Sequence, residues 1–269
     1  MPWVPVETEK DPRIEPFCSV RERDLARTHD AFLAEGENVL GVLLEAPAFE
    51  LRACLFSSHK AETLAPRVLE RFPDVPVYVA PQAVMDRIAG FPIHRGVLSL
   101  VARRSGDDAA GLLGAPGPRL VLGLVGLSNH DNVGGLFRSA AAFGADLVLL
   151  DQGTCDPLYR KAVRVSVGGA LRVPFAKVPS GDHMLELLQA HGFETYALSP
   201  AGAVDLHALR VGPRVALLLG AEGPGLPQHL LRKTNTVRIS MSPKGGAFDS
   251  LNVTVAGSIA LHALRKGST

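Results

Sequence analysis

Three stretches of this chain follow apolar runs with polar and glycine residues at spacings that chemistry can use. The first is SNHDNVGGLFRSAAAFGAD, Ser128–Asp146, with Asn132 at a helix start, Gly134 and Gly135 just inside and Arg138 beyond. An asparagine in that place caps a helix, and an exposed arginine needs no special role. Two glycines there are costly, however, unless something must approach the backbone. The second stretch, LLLGAEGPGLP (Leu217–Pro227), puts Gly220, Glu222, Gly223 and Gly225 after a strand. Such a turn can cradle phosphate, but Glu222 would repel it and no G-K-[ST] follows. A neutral or cationic partner suits it better: a ribose hydroxyl, an arginine or a sulfonium. An ordinary turn fits the bare pattern too. The third stretch, Val237–Leu264, has Ser250 where a helix cap belongs, Asn252 in the first turn, and the glycine-bearing loop Ser242–Phe248 beside them.

These loops need a frame. Arg119–Val125, Leu147–Leu150, Val173–Val178, Glu194–Ala197, Val215–Leu219 and Thr236–Ile239 read as short strands. Asn132–Phe143, Met184–Ala190, Leu230–Lys233 and Ser250–Leu264 read as helices, with Gly144 as a C-terminal stop. Near-continuous Val/Leu strands between helices imply a parallel sheet covered on both faces. Ligands of such sheets sit beyond the strand carboxyl ends, in the loops.

The earlier half alternates more loosely. Val20–Glu35 reads as a helix, Val39–Leu44 begins a run of short units, and Arg52–Phe56, Val75–Val79 and Gly96–Ala102 read as strands. Ala65–Arg71 and Pro81–Ile88 read as helices, with Pro66 placed in a first turn. The segment SGDDAAGLLGAPGPR, Ser105–Arg119, reads as a linker. The expected division is a small α/β domain over 1–110 and a second domain over 116–269, with the linker at about 105–118.

Composition narrows the function. At 269 residues and 46% hydrophobic, the chain can build two ordinary cores. No apolar stretch has the length of a membrane span. The start, MPWVPVETEKDPRIEP, shows no apolar signal segment, so a cytoplasmic protein is expected. Cys18, Cys54 and Cys155 are odd in number and far apart, and the nine histidines form no ligand pattern. Neither a disulfide framework nor a metal site is indicated. Net charge is only +1, so RNA binding would need local clusters. Arg21, Arg23 and Arg27 form one, His94, Arg95, Arg103 and Arg104 another, and Arg160, Lys161, Arg164 and Arg172 a third. Each alone is more often a solvated face.

Taken in order, the three loops resemble the signature motifs of SpoU/TrmH-like methyltransferases of the SPOUT superfamily. N-x-G-x-x-x-R is matched by Asn132, Gly134 and Arg138, and G-x-E-G-x-G by Gly220, Glu222, Gly223 and Gly225. The last motif, I-P-M followed by S-L-N-V-[ST], is matched by Ile239, Met241, Ser250, Leu251, Asn252, Val253 and Thr254. The match runs from Leu120 to the C-terminus. More loosely, Phe32–Leu44 and His94–Arg103 resemble the family's substrate-binding module. Two departures stand out: Ser240 replaces the proline, and the loop Met241–Ser250 is longer than the family pattern. They bear on substrate choice more than on chemistry, because Ser250 and Asn252 remain.

The resemblance implies an α/β fold whose C-terminal SPOUT domain has a parallel sheet and a deep trefoil knot, an exception to the rule against knots. It implies methylation of a ribose 2′-hydroxyl in structured RNA, ribosomal or transfer, with S-adenosylmethionine as cofactor and a homodimer as the assembly. A non-catalytic RNA-binding protein on the same fold is the alternative. Carried over, Leu219, Gly220, Ile239, Met241 and Leu251 would bind the cofactor. Asn132 would position the ribose, and Glu222 would orient Arg138 or the ribose. Ser250 and Asn252 would hold Arg138 and the cofactor loop. Arg138 would be the base or a steering group; a guanidinium gives up its proton with great difficulty.

Overall fold

Hydrogen bonding sorts the strands into two sheets, one of five strands and one of seven. The computed structural model describes residues 3–18, 22–45, 48–89, 96–104, 108–117, 119–242 and 250–265. The chain first runs β1 (Val4–Pro5), α1 (Glu22–His29), β2 (Ala31–Glu35), α2 (Glu37–Glu45), β3 (Leu51–Ser57), α3 (Ser58–Arg71), β4 (Val77–Ala80), α4 (Gln82–Ala89) and β5 (Val97–Ala102). It continues with α5 (Ala109–Leu113), β6 (Arg119–Val125), α6 (His130–Phe143), β7 (Leu147–Leu150), α7 (Arg160–Val165), α8 (Gly169–Arg172), β8 (Phe175–Lys177) and α9 (Gly181–Ala190). Last come β9 (Glu194–Leu198), β10 (Val204–Asp205), β11 (Arg214–Gly220), α10 (Gln228–Lys233), β12 (Asn235–Arg238) and α11 (Val253–Leu264).

One compact unit is Met1–Ser105 with Leu158–Leu171, and the other is Gly106–Pro157 with Arg172–Thr269. The segment 158–171 therefore packs with the first unit, although the sequence division placed it in 116–269. The first unit's sheet runs β1-β4-β3-β5-β2, with β5 antiparallel to both neighbours. Ile14, Phe17, Leu25, Leu55, Met85 and Leu98 pack in its core. Within this unit Glu35 is buried, and its carboxylate accepts from Arg160 Nε at 2.9 Å and Arg164 Nη1 at 3.2 Å. Two members of the expected basic cluster, Arg160 and Arg164, are thus tied to a buried carboxylate.

The second unit is the parallel sheet expected, ordered β10-β12-β9-β11-β6-β7-β8 with every pairing parallel. Its central strands β6, β7 and β11 are almost wholly buried, as runs such as LVLL and VALLL require. β11 and β6 pair in register from Arg214 with Arg119 to Gly220 with Val125. Their carboxyl ends are thus flush, and the loops after them leave side by side.

Several elements differ from the sequence reading. The helix read over Val20–Glu35 stops at His29; Asp30 takes φ 45° and the chain turns into β2. All five β2 residues are buried, so no alternation marks the strand. Pro66 lies mid-helix rather than in a first turn, because α3 begins at Ser58. The linker segment holds α5, capped by the Asp108 carboxylate, which accepts from Ala110 N and Gly111 N. Residues 105–107 and 118 of that segment, Arg21 with the side chain of Arg23, and His94 with Arg95 lie outside the described residues.

Candidate active site

The loop after β6 is set by a buried hydroxyl. Thr154 Oγ1 accepts from Leu127 N at 3.2 Å and lies 2.7 Å from Asp151 Oδ1. Asp151 in turn accepts from the amide of Gly126, which has φ 71°. This fixes where α6 begins. The cap is Asn129, whose side chain accepts from Asp131 N, so the expected cap Asn132 instead sits inside the first turn and is buried.

The loop after β11 doubles back tightly. Gly225 N donates to Ala221 O at 2.9 Å. A Cβ on Gly220 would lie 2.2 Å from Leu226 N, so only glycine permits the approach. The curl carries Glu222 at its exposed tip.

Helix α11 supplies the third side. Its cap is Asn252, not Ser250: Asn252 Oδ1 accepts from Thr254 N at 2.9 Å and Val255 N at 3.4 Å. Asn252 Nδ2 donates to Glu222 Oε1 at 2.7 Å and to Asn132 Oδ1 at 3.2 Å. All three motifs thus meet on one amide. Thr254 joins them, its Oγ1 lying 3.2 Å from Asn132 Oδ1. Gly135, which follows the glycine of the first motif, now has its reason. A Cβ on Gly135 would lie 2.5 Å from Thr254 Cγ2. Further along, Ser139 Oγ meets Ser258 Oγ at 2.7 Å, so small residues hold α6 against α11.

Of the expected catalytic residues, Asn132, Glu222 and Asn252 come together. Arg138 is exposed on α6, six residues on from buried Asn132, and joins none of their hydrogen bonds. The expected Glu222–Arg138 and Asn252–Arg138 contacts are replaced by the Glu222–Asn252–Asn132 chain. Ser250 is exposed beside the cavity described next. Residues 243–249, most of the longer loop, lie outside the described residues. Thr254 matches the third motif without an expected role, and Asp151 and Thr154 belong to no motif.

A cavity of about 350 Å³ opens at the carboxyl edge of the sheet. Leu219, Gly220, Ile239, Met241 and Leu251, the expected cofactor residues, all line it, as do Glu222 and Asn252. Ser199 and Pro200 after β9 line it too, without any signal in the sequence. Met241 and Leu251 are large exposed apolar side chains on its wall. An apolar slot with few polar groups and a carboxylate at its rim suits a purine with a cationic tail. S-adenosylmethionine therefore fits the donor set. Ser240, in place of the family's proline, hydrogen-bonds Asp205 and fastens the start of this wall to the strand β10.

Thiolate chemistry has no support. Burial pushes the Cys54 thiol up to about 12 and Cys155 to about 11, and raises Cys18 as well. Among the described residues no group of His, Cys, Asp and Glu is arranged to hold a metal ion. Among them, too, no helix is long and apolar enough to cross a membrane.

The chain is similar to known proteins over most of its length. The model of the SpoU rRNA methylase family matches residues 119–262. An uncharacterized tRNA/rRNA methyltransferase of Mycobacterium bovis is 37% identical over 266 residues, covering 94% of this chain and 88% of its own. A solved AdoMet-bound rRNA methyltransferase from Sinorhizobium meliloti superposes with a TM-score of 0.80 at 23% identity, over 98% of this chain and 97% of that one. A solved RNA 2′-O ribose methyltransferase gives 0.79 at 26% identity, over 97% of each chain.

Proposed function

The chain belongs to the SpoU rRNA methylase family, RNA methyltransferases that use S-adenosylmethionine, and from that premise we propose that it methylates a ribose 2′-hydroxyl in structured ribosomal or transfer RNA. The observation that carries this reading is the convergence of Asn132, Glu222 and Asn252 beside an apolar cavity lined by every expected cofactor residue. The likeness to a solved RNA 2′-O ribose methyltransferase supports ribose as the acceptor.

Bound S-adenosylmethionine supplies an electrophilic methyl group on a sulfonium. The protein's residues do the rest. Leu219, Ile239, Met241 and Leu251 give the apolar wall, and Gly220 lets the loop close beside it. The Glu222 carboxylate puts negative charge on the cavity rim. Asn132 positions the ribose. Arg138, exposed on α6, is available to steer the hydroxyl or a phosphate next to the target sugar. Positioning of this kind is a large part of what a hydroxyl needs to become an effective nucleophile.

We assign RNA substrate binding to the first unit and methyl transfer to the second. Family likeness extends the reading to a trefoil knot in the second unit. A cytoplasmic homodimer completes the reading.

The test uses tritium-labelled methyl donor with unmodified ribosomal and transfer RNA, followed by alkaline hydrolysis. A 2′-O-methyl group blocks attack on the neighbouring phosphodiester, so label should emerge in alkali-resistant dinucleotides. Label in mononucleotides would place the methyl on a base and overturn the ribose assignment. Arg138→Ala should keep cofactor affinity in calorimetry while transfer falls about a hundredfold. Unchanged turnover would remove Arg138 from the mechanism.

A further inference from the structure

The hydrogen bonds around Asn132 decide which end of its amide an incoming group can meet, and they involve a residue with no role so far. The reasoning starts at the backbone. The amides of Thr254 and Val255 can only donate, so the Asn252 atom they share must be its oxygen. Asn252 then turns its NH2 toward Glu222, whose carboxylate only accepts, at 2.7 Å. The same NH2 faces Asn132 at 3.2 Å, so the Asn132 atom there must be Oδ1. Thr254 Oγ1 lies 3.2 Å from that Oδ1 and 3.3 Å from Asn132 O, placed to donate to either. Both bonds recorded for the Asn132 side chain therefore use its oxygen, and among the described residues its NH2 has no partner. Asn132 is nonetheless only 6% exposed. The NH2, which can only donate, is thus left free for an acceptor on an incoming group.

We propose that Thr254 is a positioning residue which, with Asn252, holds Asn132 so that its NH2 donates to an oxygen of the target nucleotide. This rests on the RNA methyltransferase reading and sharpens it: Asn132 gives a hydrogen bond to the substrate and takes none from it. The ribose hydroxyl proton must then leave toward some other group. The close approach of Thr254 to Gly135 belongs to the same device, because any side chain at position 135 would push the threonine from Asn132.

The experiment measures steady-state methyl transfer to in vitro transcribed ribosomal and transfer RNA, using whichever accepts methyl, with cofactor affinity read by calorimetry. Thr254→Val keeps the shape and loses the hydroxyl. It should lower kcat about tenfold or more with cofactor affinity and KM for RNA within about twofold, and Thr254→Ser should restore kcat. In an Asn132→Ala background, Thr254→Val should cost nothing further. Asn132→Asp keeps the accepting oxygen and replaces the NH2 with a second acceptor, and should lower kcat about a hundredfold. Wild-type kcat in Thr254→Val, losses that multiply in the double variant, or an active Asn132→Asp would each overturn the proposal. A wild-type chain that methylates neither RNA would instead defeat the functional reading, and this inference with it.

Discussion

Asn252 has two separable jobs. Its oxygen caps α11 and its NH2 links Glu222 with Asn132. Replacing a cap asparagine with alanine costs about 1 kcal/mol, which for a chain of this size lowers the melting temperature by only about 2–4 °C. Catalysis should suffer far more, because Glu222 and Asn132 lose the donor they share. Aspartate at this position keeps the cap and removes the donor, while setting a second carboxylate against Glu222. Asn252→Asp should therefore melt a few degrees below wild type, as about 1 kcal/mol implies, and transfer methyl about a hundredfold more slowly. Thermal melts beside methyl-transfer rates make the comparison. Near-normal turnover in that variant would mean that capping alone is what the site needs.

At the scale of elements, two helix glycines should respond in opposite ways to the same substitution. Gly41 stands inside α2 with nothing within 4 Å of an added Cβ. Gly41→Ala should stabilise by about 0.5–1 kcal/mol through helix propensity. Gly135 in α6 faces Thr254 Cγ2 at 2.5 Å, so Gly135→Ala should destabilise by about 1–3 kcal/mol despite the same propensity gain. Denaturant midpoints for the two variants decide the matter, and a stabilised Gly135→Ala would mean that α6 and α11 separate at little cost. The contrast also shows where the sequence was legible. The paired glycines Gly134 and Gly135 announced a close approach, yet nothing in their spacing said that a threonine more than a hundred residues later was the visitor. The parallel strands were legible because burial on both faces demands unbroken Val/Leu runs, and β6 and β7 have the bounds read from sequence. β2 was lost for a related reason: AFLAE is buried throughout, so it continued the helical pattern of α1 without a break. The caps moved by two or three residues because Asn129 and Asn252 compete with neighbours equally able to cap, and only the backbone turn chooses.

For the whole molecule, composition predicted two cores but not how the chain is shared between them. The segment 158–171 leaves the second unit and returns, and it carries Arg160 and Arg164 to Glu35. A contact so distant in sequence leaves no local trace, whereas the exposed apolar residues do. Met241 and Leu251 line the cavity, where a cofactor would cover them. Val255 and Ile259, 49% and 39% exposed, do not. They lie four residues apart on one face of α11, while Gly257, Ala260, Leu261 and Leu264 fill the opposite face within the unit. A helix apolar on both faces has a second surface to cover, and a homodimer through the second unit would cover it. Light scattering of the wild-type chain should then give about twice the 28.5 kDa chain mass. Val255→Glu with Ile259→Glu would bury like charges against each other across a twofold interface, which favours the separated chains. Because both side chains face outward, each chain should keep its helical circular dichroism while the scattering mass halves. A wild-type chain that scatters as a monomer at micromolar concentration would rule out the dimer, and a double variant that stays dimeric would move the interface off this face of α11.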